Sequence, residues 1–225
     1  MKSKRLNAIA SFIEQGDIVA DIGSDHGLLP LWLVKNGHKY VFANENKKDS
    51  FARLENALKA SPDGEKVEAS FSSGIEALPE NINTVVIAGM GGQLIIDILG
   101  EHSDKLDNVE RLILAPQGHE GEVRKMISFL GYQIYDEEVV EENGKFYEII
   151  VAHNVPCAVC GVEVLFGPQN LRKKTATFVA KWAAEYTKNE KLLENEKLDV
   201  SKRDELIAIQ AQIENAIDLG EEDEY

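Results

Sequence analysis

The chain has 225 residues and a net charge of −15 at neutral pH, and 44% of its residues are hydrophobic. This composition is typical of a globular protein with a sizeable core, and the longest apolar runs are too short to cross a bilayer, which excludes a membrane protein. The negative charge excludes overall attraction to phosphate as the basis of nucleic-acid binding, but local clusters of Lys and Arg can still form such a contact.

The first two thirds of the chain alternate between predicted strands and helices. A helix comes first, with Ser3 as a possible cap and with Leu6, Ile9, Phe12 and Ile13 at helical spacing. Such alternation predicts a parallel sheet with helices on both faces. The predicted strands are 18–22, 40–43, 67–71, 84–88 and 111–115. After the first helix, one predicted helix begins at Pro30, and three others cover 51–58, 93–99 and 120–130.

A β-hairpin is predicted to close this series. Residues 132–140 and 146–152 flank Asn143-Gly144, and Asn-Gly is a favoured two-residue hairpin turn. Five strand–helix repeats that end in a hairpin predict an α/β fold with a doubly wound sheet, parallel except for its last strand. This arrangement favours a methyltransferase over a dehydrogenase.

After Gly167-Pro168 the pattern becomes purely helical. Two long amphipathic helices with a short connection are expected to fold back as an antiparallel hairpin. The break is predicted at 199–201, where Ser201 and Asp204 fit a capping box. We therefore predict two domains, 1–155 and 156–225. The residues on the apolar faces of the two helices are Phe178, Trp182, Tyr186 and Leu193, and Leu206, Ile209, Ile213 and Ala216.

The two cysteines are interpreted as free thiols. Cys157 and Cys160 form a single C-x-x-C next to Pro156 and Gly161, which predict a loop and not the helix start of a redox motif. No second pair of ligands stands at zinc-site spacing, so no metal is expected. No apolar stretch follows the basic N-terminus, so we expect no secretory signal and a cytoplasmic location.

The chemistry is expected in the loop D-I-G-S-D-H-G, which follows the first predicted strand. An NAD-binding loop has three glycines that let the backbone approach a pyrophosphate. Gly23 is present here, but Asp25 holds the next position and would repel phosphate. S-adenosylmethionine has no phosphate, and its sulfonium and ammonium groups attract acids. Asp21 and Asp25 are predicted to face this cationic end, while Gly23 and Gly27 allow close approach.

Other candidate contacts follow the later strands. Glu45, at the end of the second predicted strand, is placed to accept hydrogen bonds from ribose hydroxyls. Ala88, Gly89 and Met90 end the fourth strand, where their backbone can approach a ligand and accept from the amine of a purine. Gln117 ends the next strand and places an amide at the same edge.

Several stretches together resemble the TrmK family of bacterial tRNA (adenine-N1)-methyltransferases, which act on adenine 22. The resemblance runs along nearly the whole chain, and S-D-H with A-G-M-G-G is more specific than a generic methyltransferase loop. The matching stretches are S-K-R-L from Ser3, A-D-I-G-S-D-H from Ala20, I-A-G-M-G-G from Ile87, E-R-L-I-L from Glu110, G-K-F-Y-E-I from Gly144 and F-G-P from Phe166.

The resemblance implies a Rossmann-like domain of class I methyltransferase type, a coiled-coil-like C-terminal domain, S-adenosylmethionine as methyl donor and tRNA as substrate. With it, Ser73 and Gly74 become candidate cofactor contacts, although their loop lacks an acid that the family often uses against the cofactor adenine. A monomer is expected. The residues expected to hold the substrate are Arg5, Gln117, Arg172, Lys173 and Lys174.

For the reaction we expect in-line attack by adenine N1, whose free lone pair needs no deprotonation. Asp25 is the candidate for stabilising the cationic product base, and His26 is the candidate for positioning it. Two alternatives stay open: a class I methyltransferase acting on a small molecule or a protein, and a non-catalytic scaffold that binds the cofactor.

Overall fold

The computed structural model describes residues 1–218, and its centre is a seven-stranded sheet. The strand order is β3-β2-β1-β4-β5-β7-β6, in which β7 alone runs opposite to the other six strands. The predicted doubly wound sheet with one antiparallel strand is therefore confirmed. The strands are β1 Val19–Ile22, β2 Val41–Glu45, β3 Val67–Phe71, β4 Thr84–Gly91, β5 Arg111–Gln117, β6 Gln133–Glu142 and β7 Lys145–His153.

Nine α-helices accompany the sheet in the described part of the chain, with single 3-10 turns at Gly64–Lys66 and Ser103–Leu106. Ser3 caps the first helix as predicted, since its Oγ accepts the N–H of Leu6 at 3.2 Å. The helices are α1 Lys4–Ser11, α2 Leu28–Lys35, α3 Lys48–Lys59, α4 Gly92–Glu101, α5 Glu120–Phe129, α6 Val162–Phe166, α7 Pro168–Lys173, α8 Ala176–Leu193 and α9 Val200–Ile217.

The core lies on both faces of the sheet. In β4, Val85 and Ile87 pack with α4 and α5, whereas Val86 packs with α1, α2 and α3, and all three side chains are fully buried. Strands that are buried on both faces read as continuous apolar runs, which is why the strands could be recognised in the sequence. The order in which strands are added to the sheet reverses between β1 and β4. In sheets of this kind a crevice lies at the carboxyl ends of the two strands where the order reverses.

The two predicted hairpins are both present. Asn143 and Gly144 have φ values of 54° and 71° and form the tight turn between β6 and β7. Helices α8 and α9 run antiparallel, with Tyr186 donating to Glu214 at 2.7 Å. A coiled-coil geometry for them stays a prediction.

The predicted capping box at Ser201 and Asp204 is wrong. Asp199 caps α9 instead, because its Oδ1 accepts the N–H of Ser201 at 2.9 Å and Ser201 already lies inside the helix. The proposed domain boundary at residue 155 falls in the loop between β7 and α6. Residues 219–225, which include the acidic run at the end of the proposed second domain, lie outside the described residues.

An ion network with a fully buried centre joins the helical hairpin to the sheet. Arg124 of α5 donates to Glu137 of β6 at 2.8 Å and to Glu148 of β7, which also binds Lys181 of α8. Burial by itself would raise the pKa of Glu148, but the two cations outweigh it and lower the pKa. The position of α8 relative to the sheet is thus fixed by paired charges as well as by apolar packing.

Candidate active site

A cavity of about 240 Å³ lies at the carboxyl ends of β1 and β4, where the strand order reverses. Seven residues predicted from the sequence to contact ligands share this cavity, and they come from α1, from β1 with the loop after it, and from β4. Acidic groups line one part of it and a guanidinium another. The predicted residues that line it are Arg5, Asp21, Gly23, Asp25, His26, Ala88 and Gly89.

The glycines of the loop after β1 shape the wall of the cavity. Gly23 has φ of +82°, and its N–H donates to the carbonyl of Asn44 at 2.9 Å. This conformation favours glycine, and a Cβ here would also displace the terminal methyl group of Met90. Gly27, with φ of +65°, begins α2 and packs beneath the loop against Leu54.

Asp21 is a buried carboxylate at the end of β1, with a side chain held by Ser24. Ser24 Oγ donates to Asp21 Oδ2 at 2.8 Å. Burial raises the pKa of Asp21 to about 6, the bond from Ser24 lowers it, and the neighbouring charge of Glu45 raises it further. A buried acid of this kind is stabilised in its ionised form by a cation placed in the cavity.

Asp25 lies at the mouth of the cavity in a left-handed conformation, with φ of +43°. Its N–H donates to Glu45 Oε1 at 2.7 Å, and its carboxylate accepts from Arg53 Nε at 2.9 Å. His26 Nε2 lies 3.5 Å from the other carboxylate oxygen of Asp25. Glu45 itself is buried at the end of β2 and uses only Oε1 in this contact, which leaves Oε2 for a ligand hydroxyl.

Arg5 enters the cavity from the opposite side. Its guanidinium nitrogens would lie 3.6 and 3.8 Å from a Cβ at Gly89, and its Nε is buried with no hydrogen-bond partner in the described part of the chain. The guanidinium lies over the ring of Tyr147, with Cζ 4.9 Å from the ring centroid. A cation thus lines the same cavity as the acids Asp21 and Asp25.

Several other predicted residues lie around this cavity and not in its lining. Ser73 and Gly74 follow β3 on the far side of β2, along the same edge of the sheet. Met90 packs over Gly23. Gln117 ends β5 and is paired with Gly91 of β4.

Gln117 opens into a second and larger cleft, of about 870 Å³, between the carboxyl end of the sheet and the helical hairpin. Phe146 and Tyr147 of β7, Leu206 of α9 and Lys188 of α8 also line this cleft. Arg5 lines the smaller cavity and contacts Tyr147, which lines the cleft. The two spaces are therefore neighbours at this pair of residues.

The predicted basic cluster lines neither space and lies at the end of α7, which packs against β6 at the edge of the sheet. Lys173 binds Asp136, and Lys174 binds Asp218 at 2.5 Å, while Arg172 is exposed. Cys157 and Cys160 are free and exposed. Within residues 1–218 no cluster of His, Cys, Asp and Glu could hold a metal, and no helix is long and apolar enough to cross a membrane.

The lining of the small cavity fits S-adenosylmethionine. Its amino-acid end carries an ammonium and a carboxylate, which match Asp21 and the unpaired Nε of Arg5 respectively. Glu45 at the end of β2 lies behind this lining and binds the backbone of Asp25 through Oε1, a position from which its carboxylate can accept from ribose hydroxyls. A pyrophosphate would face the carboxylates of Asp21 and Asp25, so a dinucleotide does not fit.

The sheet order and this cavity define a class I methyltransferase, and residues 2–150 match the family described as "Methyltransferase domain". The chain is 35% identical to the tRNA (adenine(22)-N(1))-methyltransferase of Bacillus subtilis strain 168 over 201 residues, which cover 85% of this chain and 84% of that protein. The chain belongs to the TrmK family of tRNA (adenine(22)-N1)-methyltransferases.

Solved structures agree with this assignment. The crystal structure of Bacillus subtilis TrmK superposes with a TM-score of 0.87 at 31% identity, covering 96% of this chain and 99% of that chain. A candidate tRNA (m1A22) methyltransferase of Streptococcus pneumoniae, solved in complex with S-adenosyl-L-methionine, gives a TM-score of 0.89 at 37% identity and covers 96% of this chain and all of that one.

Sequence reasoning missed three residues of the site. Ser24 holds Asp21, Arg53 holds Asp25, and Tyr147 holds Arg5. Ser24 lies within the quoted loop and could have been recognised as a local hydroxyl partner. Arg53 and Tyr147 come from distant elements, and nothing in their own sequence surroundings indicated these contacts.

Proposed function

We propose that this protein methylates N1 of adenine 22 in tRNA with S-adenosylmethionine as the methyl donor. The observation that carries the proposal is the cavity between β1 and β4, which is lined by the buried Asp21, by Asp25 and by Arg5, whose buried Nε has no partner among the described residues, in a chain of the TrmK family. The related B. subtilis protein is named for this activity.

Four residues of this chain would hold the cofactor. Asp21 would bind its ammonium group, Arg5 its carboxylate and Glu45 its ribose, while Gly23 lets the backbone approach. Arg5 was expected from the sequence to bind a tRNA phosphate, and its place inside the cavity favours the cofactor carboxylate instead. When bound, S-adenosylmethionine supplies an electrophilic methyl group for transfer to the base.

The contribution of the protein to the reaction is mainly alignment. Adenine N1 attacks with its own lone pair, so no general base is required, and a correctly placed base accounts for most of the acceleration. The base becomes cationic as the methyl group arrives. Asp25 carries a negative charge at the cavity mouth that favours this change, and His26 beside it positions the base.

The tRNA must present adenine 22 unpaired, because N1 lies on its pairing edge. We expect Arg172, Lys173 and Lys174 to contact phosphates, which makes the affinity for tRNA fall steeply with salt. Gln117 lies in the cleft beside the cavity and is placed to contact the base. A monomer in the cytoplasm stays our prediction for the assembly and location.

The decisive experiment is methyl transfer from labelled S-adenosylmethionine to unmodified tRNA transcripts, followed by digestion to nucleosides. The proposal requires label in 1-methyladenosine with the A22 transcript and none with a G22 transcript. Label on a protein or small molecule without RNA would favour another class I methyltransferase. Cofactor binding with no transfer to any tRNA, unchanged by Asp25→Ala, would favour the non-catalytic scaffold.

A further inference from the structure

Tyr147 lies at the boundary between the cofactor cavity and the large cleft. One face of its ring is covered by the guanidinium of Arg5, which lines the cofactor cavity. Tyr147 itself lines the cleft and is only partly buried. The ring therefore lies beside the place where the cleft comes nearest the cofactor cavity.

The neighbouring strands complete a rim around the same point. Gly91 of β4 is paired with Gln117 of β5, and Gly89 lies beside the guanidinium of Arg5. Gly89, Arg5, Tyr147, Gln117 and Gly91 therefore lie where the linings of the two spaces meet. A base that attacks a methyl group has to lie about 3–3.5 Å from it, and a base held in the cleft comes nearest the cofactor cavity at these residues.

We propose that Tyr147 stacks on the target adenine, with Gln117 accepting a hydrogen bond from the exocyclic amine of the base. This inference rests on the proposed function, since it names the residue that holds the base at that same site. Nucleic-acid proteins commonly hold an unpaired base against an aromatic side chain, because every base has a π-face. The cleft, at about 870 Å³, has room for the nucleotide that carries the base.

Stacking of the adenine on Tyr147 is expected to speed methyl transfer as well as to strengthen binding. The methylated adenine carries a positive charge, and aromatic faces attract cations. The interaction therefore strengthens as the methyl group is transferred, which is the condition for lowering the barrier. Arg5 already holds the ring from one side, so the ring is oriented before the base arrives.

Other exposed aromatic residues in the described chain lie elsewhere. Phe71 packs against Phe51 beside β3, with ring centroids 5.4 Å apart. Tyr135 stacks on His153 near the opposite edge of the sheet, with centroids 4.4 Å apart. Neither of them lines the cofactor cavity or the cleft, and neither does the exposed Phe129. Phe146 and Trp182 also line the cleft, but the ring that contacts Arg5 of the cofactor cavity is that of Tyr147.

The test compares two variants, Tyr147→Ala and Tyr147→Phe. Tyr135→Ala is the control, because it removes an exposed tyrosine that lines neither space. Each variant is assayed for kcat and KM with A22 tRNA, for the Kd of S-adenosylmethionine, and for fluorescence of a tRNA that carries 2-aminopurine at position 22. We expect Tyr147→Ala to lower kcat/KM about 10- to 100-fold, while Tyr147→Phe and Tyr135→Ala stay within about threefold of wild type.

The fluorescence separates a stack from a structural role. The probe is dim when stacked, so its emission in the complex should be higher with Tyr147→Ala than with wild type or Tyr147→Phe. Wild-type values for Tyr147→Ala in both assays would overturn the inference, and so would a loss confined to the Kd of the cofactor. These two results refute the inference alone, because the wild type is still active in them. A wild type that leaves A22 unmethylated would instead refute the proposed function, and this inference with it.

Discussion

Arg53 of α3 donates to the carboxylate of Asp25 through Nε at 2.9 Å and through a terminal nitrogen at 2.6 Å. The acid that the sequence marks as catalytic is thus held in place by an arginine 28 residues further along the chain. Arg53 also donates to Ser50, which orients the guanidinium from its own helix. Asp25 is bound from its backbone as well, by Glu45, so its left-handed conformation is maintained at two points.

The first prediction concerns Arg53→Ala. Both side chains of the pair are 44% exposed, so its loss should change the free energy of unfolding by less than about 1 kcal/mol. The misplacement of Asp25 should nevertheless lower kcat on the order of 10- to 100-fold. Methyl-transfer kinetics and urea denaturation measure the two effects. Lys59→Ala, which breaks an exposed pair on the same helix, is the control and should leave both unchanged.

The second prediction follows from the raised pKa of Asp21, about 6. Below this pH the carboxyl becomes protonated and no longer attracts the ammonium group of the cofactor. The Kd for S-adenosylmethionine should therefore rise about tenfold per pH unit below 6 and stay constant between pH 7 and 8. Calorimetric titration across this range provides the measurement, and a flat profile from pH 5 to 8 would contradict the role of Asp21.

The same pKa predicts a cost in stability. The folded protein holds the Asp21 proton up to about pH 6, whereas the unfolded chain releases it near 3.8, so stability is lost as the pH rises between these values. Asp21→Asn should therefore stabilise the ligand-free protein by about 3 kcal/mol at pH 7.5 and have little effect below pH 4. Denaturation at the two pH values tests this, and equal effects at both would show that charge is not the cause.

Much of the fold could be predicted from the sequence because local signals and burial agreed. The inner strands are apolar on both faces, Ser3 stands one residue before an amphipathic helix, and Asn143-Gly144 fits a two-residue turn. The predicted ends of the elements were less accurate. Strand β4 continues three residues past the predicted end at Ala88, through a bulge that has no local sequence signal.

The features that the sequence did not reveal depend on contacts between distant elements. Helices α6 and α7 have only five and six residues, too few for a periodic pattern to emerge. The sequence predicted Ser201 as the cap of α9, whereas the helix begins one residue earlier, at Val200, and Asp199 caps it. A charged side chain such as that of Arg124 is normally expected on the solvent-exposed face of a helix. The sequence does not show its burial because its two acidic partners come from separate strands.

The third prediction concerns this buried arginine. Arg124→Ala leaves Glu137 and Glu148 without their shared cation in a site where all three side chains are at most 1% exposed. We expect a loss of about 3–5 kcal/mol in the free energy of unfolding, because the uncompensated charges stay buried. Lys125→Ala, at the next position with an exposed pair, should change stability by less than about 1 kcal/mol. Similar denaturation midpoints for the two variants would refute a structural role for the network.

The last prediction tests the basic cluster on α7 as a tRNA contact. Lys174 binds Asp218 at 2.5 Å, and this acid competes with phosphate for the lysine. Asp218→Ala frees the lysine, so it should tighten tRNA binding at low salt. Lys174→Ala should weaken it and reduce the slope of log affinity against log salt by about 0.9.

Filter binding of an A22 transcript between 50 and 200 mM salt, roughly the range over which phosphate contacts lose most affinity, measures both variants. Glu122→Ala removes an exposed acid that pairs with Lys125 on α5, and so it controls for the change in net charge alone. Equal gains in affinity for Asp218→Ala and Glu122→Ala would mean that tRNA responds to the overall charge of the protein. A gain confined to Asp218→Ala, reversed when Lys174→Ala is added, would locate a phosphate contact at Lys174.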